Sequence, residues 1–353
     1  MIAYYIIFLA IAGGFLFSKA KIDKEKSVIL SSKDSIALKG FFAMIIMFHH
    51  IGQAYFGSNQ FVKYLGGIGV GVFFMLSAYG LFKSTEKNNF NYAKRLFLVK
   101  IPKLYLLQCL VNVIYCGIFN HFSSSPKEIL IRIFNFDVFF GYSRANRNSW
   151  FITTILIIYV LFAICLLFSK LIKKTQHKKY FIISVCSFII TLVYILTMSG
   201  IFKFPVLYVR CLLCFPLGLF VACFESAIIK LKEHKITHIL SILFSFGMII
   251  LSYFFIPDEH IITIFVCCFI VLLSIILDFS YGKTMIFIGK ISLEIYLFHG
   301  LFTAKIPVTD NICYYILAVV GSSIIVSFMV NTITKFIEKH IKSLLEKKKK
   351  EDI

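Results

Sequence analysis

Residues 35–56 read SIALKGFFAMIIMFHHIGQAYF, an apolar stretch long enough to cross a bilayer as a helix, with a lysine near one end and two histidines well inside. Lys39 and His50 are 11 residues apart. At about 100° and about 1.5 Å per residue, they share a helix face to within roughly 20° and lie roughly 16 Å apart. One buried helix thus offers a cation close to a membrane surface and an imidazole near or beyond mid-membrane. Ionisable groups at such depth are costly and usually face a cavity, which marks them as candidates for function. Plainer roles compete: Lys39 can snorkel to the headgroups, and either histidine can bond a carbonyl on a neighbouring helix.

The surroundings agree with a membrane setting. The 353 residues are 59% hydrophobic and 15% charged, against about 25% charged in soluble domains. Mean hydropathy is +0.88. Repeated apolar runs near 20 residues predict an all-α, polytopic integral membrane protein, and short alternating segments of the kind a transmembrane barrel needs do not occur. No hydrophilic stretch is long enough for a second folded domain. The chain divides into an anchor and basic linker (1–34), a membrane domain (35–334) and a basic tail (335–353). The net charge of +20 fits loops facing the cytosol better than it fits nucleic acid. The ten cysteines lie mostly inside apolar runs. Cys211 and Cys214 form a CxxC without a second such pair, which points to free buried thiols rather than a metal site. Walker, dinucleotide-glycine and HExxH motifs are absent, and the GGIGVG at 66–71 is read as close helix approach.

Eleven spans are expected, an N-terminal one at 1–17 and a ten-helix core at about 36–56, 66–82, 96–118, 149–169, 180–198, 206–226, 236–256, 260–279, 286–304 and 311–334. Lys19, Lys21, Lys24, Lys26 and Lys33 follow the first span and no basic residue precedes it, so it is read as an anchor with its N-terminus outside. The loops this orientation puts inside carry 25 Lys and Arg, and those outside carry 7. That asymmetry places the C-terminus in the cytoplasm of a cell (plasma or inner) membrane. The tail 335–350 is either a basic interfacial helix or a solvated tail. The outer loop 119–148, with Phe134, Phe136, Phe139, Phe140, Tyr142, Arg144 and Arg147, is expected to pack on the surface, a dip into the membrane being the alternative.

Four stretches, taken in order, resemble the membrane acyltransferase 3 family, whose members O-acylate envelope sugars. ALKGFFAMIIMFHH matches the family's Arg-Gly and His at the same spacing, with Lys39 in place of the usual Arg. GVGVFFMLSAYGLFKS (69–84) is similar to its Phe-Phe, Leu-Ser-Gly run, with Ala78 where Gly is usual. SWFITTILIIY (149–159) and GKISLEIYLFHG (289–300) follow, carrying Trp150, Tyr159, Tyr296 and His299. The resemblance implies an acyl donor from the cytosol, typically acetyl-CoA used as substrate with no permanently bound cofactor. It also implies an acceptor hydroxyl on the far side, on an envelope polysaccharide, a glycolipid or a lipid-linked sugar. Lys39 lacks the bidentate fork of Arg, which alters how it meets an anion.

Acyl transfer to an alcohol needs a base or a transient nucleophile near neutral pH, and histidine serves as either. His50 is the leading candidate. His49 points about 100° away from the Lys39 face. His299 and Tyr296, on another helix, are assigned to acceptor positioning or support, with plain packing as the alternative. Glu294 is expected to pair with Lys39, because a buried carboxylate needs a partner. Lys94, Arg95, Lys100 and Lys103 cluster by Pro102 and offer charge for the donor's phosphates, with Arg95, Lys100 and Lys103 the assigned set; ordinary loop charge is the alternative. Trp150 and Arg210 are assigned to the acceptor, Arg210 with outward snorkelling as its alternative. Ser77 has no GxSxG elbow and is read as a packing residue. No metal site is expected.

A transporter or flippase of a polyprenyl-linked saccharide is the competing class, with the same cations binding phosphate; a structural subunit is a third. Acylation proceeds either directly or through a separate extracellular transferase.

Overall fold

Ser31 and Asp34 begin the decisive helix. The Ser31 hydroxyl accepts from the Asp34 amide at 3.1 Å, and the Asp34 carboxylate accepts from the Ser31 amide at 2.9 Å. This reciprocal capping satisfies two amides that the first turn leaves open. The helix, α2, runs from Ser32 to Phe56, and Gly57 closes it with a left-handed φ of 76° and an N–H to the Gln53 carbonyl. It follows α1 (Ile2–Phe17). The computed structural model describes residues 2–57, 60–88, 90–136, 140, 144–203, 205–256 and 258–351.

Within these, the remaining helices of eight residues or more include α3 (Gln60–Lys87), α4 (Ala93–Ile118), α5 (Pro126–Ile133), α6 (Ser149–Ser169), α7 (Thr175–Met198), α8 (Val206–Cys223), α9 (Lys235–Phe255) and α10 (Glu259–Ser274). They are followed by α11 (Lys283–Lys290), α12 (Ser292–Lys305) and α13 (Ile312–Glu351). The fold is all-α and multi-pass. Among the described residues, eight helices are long and apolar enough to span a membrane, and a ninth span results if α11 and α12 are joined. The expected eleven are not all reached: α10 and the apolar part of α1 are shorter than a bilayer crossing. The single span expected over 286–304 is two helices, α11 and α12, bent by 73°.

The glycines expected at close approaches do sit there. A Cβ at Gly66 would stand 2.6 Å from the His49 ring, and one at Gly69 would stand 2.5 Å from Ile46 Cγ1. Where α2 crosses α11, Gly40 lies against the Met285 carbonyl and the Gly289 amide, and Gly289 against the Ile36 carbonyl. The Gly of the Lys-Gly pair therefore lets the α11 backbone pass directly behind Lys39. Gly289→Val is expected to cost about 1–3 kcal/mol through overpacking, read as a lower melting temperature in detergent. Ala78, at the usual Gly position, faces Gly218, where an added Cβ would come within 2.8 Å of its own.

The linker between α1 and α2 is folded over the end of the bundle. Lys21–Ile22 pairs antiparallel with Leu277–Asp278. Lys26, only 8% exposed, meets Asp34 at 2.9 Å and the Leu277 carbonyl at 2.7 Å. Glu225 accepts from the Ile29 amide at 2.8 Å and meets Lys83 at 2.9 Å. These bonds fix where α2 starts, and with it the height of Lys39.

The segment after α4 descends alongside it. Asn112 donates to the carbonyls of Arg132 and Ile133, both at 3.1 Å, and the Tyr105 hydroxyl donates to the Phe134 carbonyl at 3.1 Å. Tyr105 lies about 20 Å along α4 from Ile118 at about 1.5 Å per residue. This corrects the expected surface packing of 119–148: the loop reaches down the bundle and leaves Phe134, Phe136 and Phe140 exposed. Phe139 and Tyr142 lie outside the described residues.

Candidate active site

A cavity of about 450 Å³ opens at the Lys39 end of the bundle. Lys103, Lys290 and Lys335 are exposed and Lys39 is partly buried; together they give the cavity a basic rim, and Ser77, Tyr159, Glu294 and Asn331 also line it. Its far end is apolar and aromatic, formed by Phe73, Phe151 and Tyr296. One helical turn beyond Tyr296 on α12 is His299, the two rings 6.0 Å apart. The His299 ring stacks on His50, with centroids 5.0 Å apart and planes at 29°. Tyr296 thus belongs both to the cavity wall and to the ring contacts of the imidazole pair. His50 is half-buried and is not among the residues that wall the cavity.

The hydrogen bonds distinguish the two imidazoles. His299 is fully buried. Its Nδ1–H donates to the Ile295 carbonyl at 2.9 Å, since a carbonyl only accepts, and its Nε2 accepts from Asn148 Nδ2 at 3.3 Å. Both nitrogens are engaged. His50 Nδ1–H donates to Gln53 Oε1 at 3.1 Å, which leaves the Nε2 lone pair for chemistry. His49 packs against Gly66 and meets His50 edge-on at 4.9 Å.

Asn148, which sequence reasoning missed, anchors this arrangement. It reaches both His299 and the Tyr296 carbonyl, and Asn146 and Tyr115 hold the Leu297 carbonyl at 3.1 Å and 2.9 Å. Asn148→Ala is expected to lower turnover about tenfold, the equivalent of about 1.4 kcal/mol, without changing substrate KM. Gln53 is one turn from His50 and was legible from that spacing. Asn148 was not, because its partners are 148 and 151 residues away.

Other assignments need revision. Glu294 does not pair with Lys39: it accepts from Asn331 at 2.7 Å, and α13, which carries Asn331, supplies the partner a buried carboxylate needs. Lys39 has no ion pair or hydrogen bond among the described residues, although the charge of Lys100 acts on it. Lys103 lines the cavity and meets Glu338 at 2.6 Å. Lys100 sits over the Tyr92 ring at 5.1 Å, while Arg95 is exposed, and neither walls the cavity. Ser77, read as a packing residue, is one of the residues that line the cavity, as is Tyr159.

Arg210 lies where α8 breaks, before Cys211 at a left-handed φ of 55°. Its fork grips Glu259 bidentately, Nη2 to Oε1 at 2.6 Å and Nε to Oε2. The guanidinium, assigned to the acceptor with outward snorkelling as the alternative, is thus engaged by a carboxylate. The unwound Cys211 amide donates to His260 Nδ1 at 3.2 Å, which satisfies backbone that the break would leave bare. Arg210 nevertheless acts electrostatically on both His50 and Tyr296. Trp150 is buried in the core against Phe151. Among the described residues no cluster of His, Cys, Asp and Glu has the makings of a metal site.

No curated protein and no solved structure matches the chain. A family model does: the acyltransferase 3 model, described as an acyltransferase domain, matches residues 33–332. This interval starts in the first turn of α2 and contains the imidazole pair and all of the cavity's lining except Lys335. The chain belongs to the acyltransferase 3 family.

Proposed function

We propose that the protein is a membrane-embedded O-acyltransferase. It moves an acyl group, acetyl in the simplest case, from cytosolic acyl-CoA to a hydroxyl of an envelope polysaccharide, glycolipid or lipid-linked sugar on the outer face. The Lys39 end faces the cytosol, because the loops at that end carry most of the Lys and Arg. The N-terminus is then outside and the C-terminus cytoplasmic, in a cell (plasma or inner) membrane.

One arrangement carries the reading: a basic-rimmed cavity whose aromatic wall touches a histidine pair, in which His50 Nε2 has no hydrogen bond among the described residues. Lys39, with Lys100 and Lys103 near it, attracts the donor's phosphates at the mouth. Phe73, Phe151 and Tyr296 make part of the cavity wall apolar, as an extended thioester arm requires. His50 Nε2 then takes the acceptor's proton, or takes the acyl group itself before passing it on. A transporter needs the cations but has no use for a lone pair held ready beside a stacked imidazole. The acceptor receives the group directly or through a separate extracellular transferase.

Envelope glycans from cells with and without the gene are compared by mass spectrometry. The proposal expects an acyl group on a glycan hydroxyl that disappears with the gene. Unmodified glycan in both, with a difference only in its transport, contradicts it.

A further inference from the structure

Attack on a thioester carbonyl places negative charge on its oxygen, and the strongest catalytic help is a donor already aimed at that oxygen. Most donors around the cavity's inner end are committed. Asn148 serves His299 and the Tyr296 carbonyl, Tyr115 serves Leu297, His50 Nδ1 serves Gln53, and Arg210 grips Glu259.

Tyr296 differs. It is 3% exposed, and its ring is held by Phe73 at 6.4 Å, Phe151 at 5.2 Å and His299 at 6.0 Å. Its hydroxyl makes no hydrogen bond among the described residues, yet the residue walls the cavity at the end nearest the imidazoles. A phenol is costly to bury without a partner, and here the open side is the side from which a thioester arrives. The charges of Arg210 and Arg144 act on the same hydroxyl, and that of Arg210 also acts on His50.

We infer that the Tyr296 hydroxyl is a catalytic hydrogen-bond donor to the acyl carbonyl oxygen, a role that rests on the acyl-transfer reading above. In the direct route, the acceptor oxygen bonds to the carbonyl carbon while His50 Nε2 removes its proton. The C=O π pair moves onto the oxygen, where the Tyr296 O–H meets it. As that pair returns, the C–S bond breaks and the thiolate takes the proton back from His50. Thioester and alcohol become ester and thiol, and the tyrosine keeps its own proton throughout.

The test is Tyr296→Phe in purified full-length protein with labelled acetyl-CoA and the acceptor glycan, beside wild type. The variant keeps the ring and its packing, so its melting temperature should match. Turnover is expected to fall about 10²–10³-fold with donor KM unchanged, and 3-fluorotyrosine at 296, which restores the O–H, should recover it. Wild-type turnover in Tyr296→Phe overturns the inference, as does a raised donor KM at unchanged kcat. No transfer by wild type sinks the acyl-transfer reading itself and this inference with it, a failure visible before the variant is considered.

Discussion

His50→Ala is expected to reduce acyl transfer from labelled acetyl-CoA by about 10²–10⁴-fold, the usual worth of a positioned acid–base group, while the protein stays folded. His50 is half-buried on α2, so truncating it leaves no large void. The stacked His299 cannot substitute, because the Ile295 carbonyl and Asn148 occupy its two nitrogens. His49 cannot either, since its ring is turned toward Gly66. Full activity in the alanine variant would remove His50 from the chemistry.

Lys39→Met is expected to raise donor KM about tenfold or more, with a much smaller effect on kcat. A charge-assisted hydrogen bond to phosphate is worth about 1.5–3 kcal/mol, and Lys39 is the rim lysine on the His50-bearing helix. A buried cation without a carboxylate partner is unfavourable until an anion arrives, and Lys100, whose charge acts on it, adds to the pull. Lys39→Arg should retain most of the affinity, because guanidinium meets phosphate through two parallel bonds. A KM unchanged in Lys39→Met would mean that the phosphates are held elsewhere on the rim.

Much of this site was legible in the chain because it is local. The Lys39–His50 spacing lies on one helix, and the period of that helix puts both on one face. The 66–71 glycines announce close packing because a Cβ there would strike a neighbour. What escaped was either a break in a hydrophobic run or a partner far along the chain. Composition gives the thickness of an apolar segment and not its continuity, so 286–304 was read as one span although Ile291 interrupts it. Pro216 was a usable sign of a new helix start after Arg210, and the apolar residues around it hid that sign. In the same way Pro102 follows a widened π-helical turn at Leu96–Lys100. Glu259 takes Arg210 from 49 residues away, and Asn331 takes Glu294 from 37. No periodicity reports such pairs.

The central claim is that a thioester entering at the Lys39 end gives its acyl group to an acceptor on the opposite face, by way of His50. Sealed vesicles with the protein inserted in one orientation measure this directly. Labelled acetyl-CoA is supplied only on the Lys39 side, and a non-permeant acceptor glycan only on the other. The account predicts labelled ester on the acceptor and free CoA on the donor side, both lost in His50→Ala. Labelled ester formed only when donor and acceptor share a compartment would contradict it.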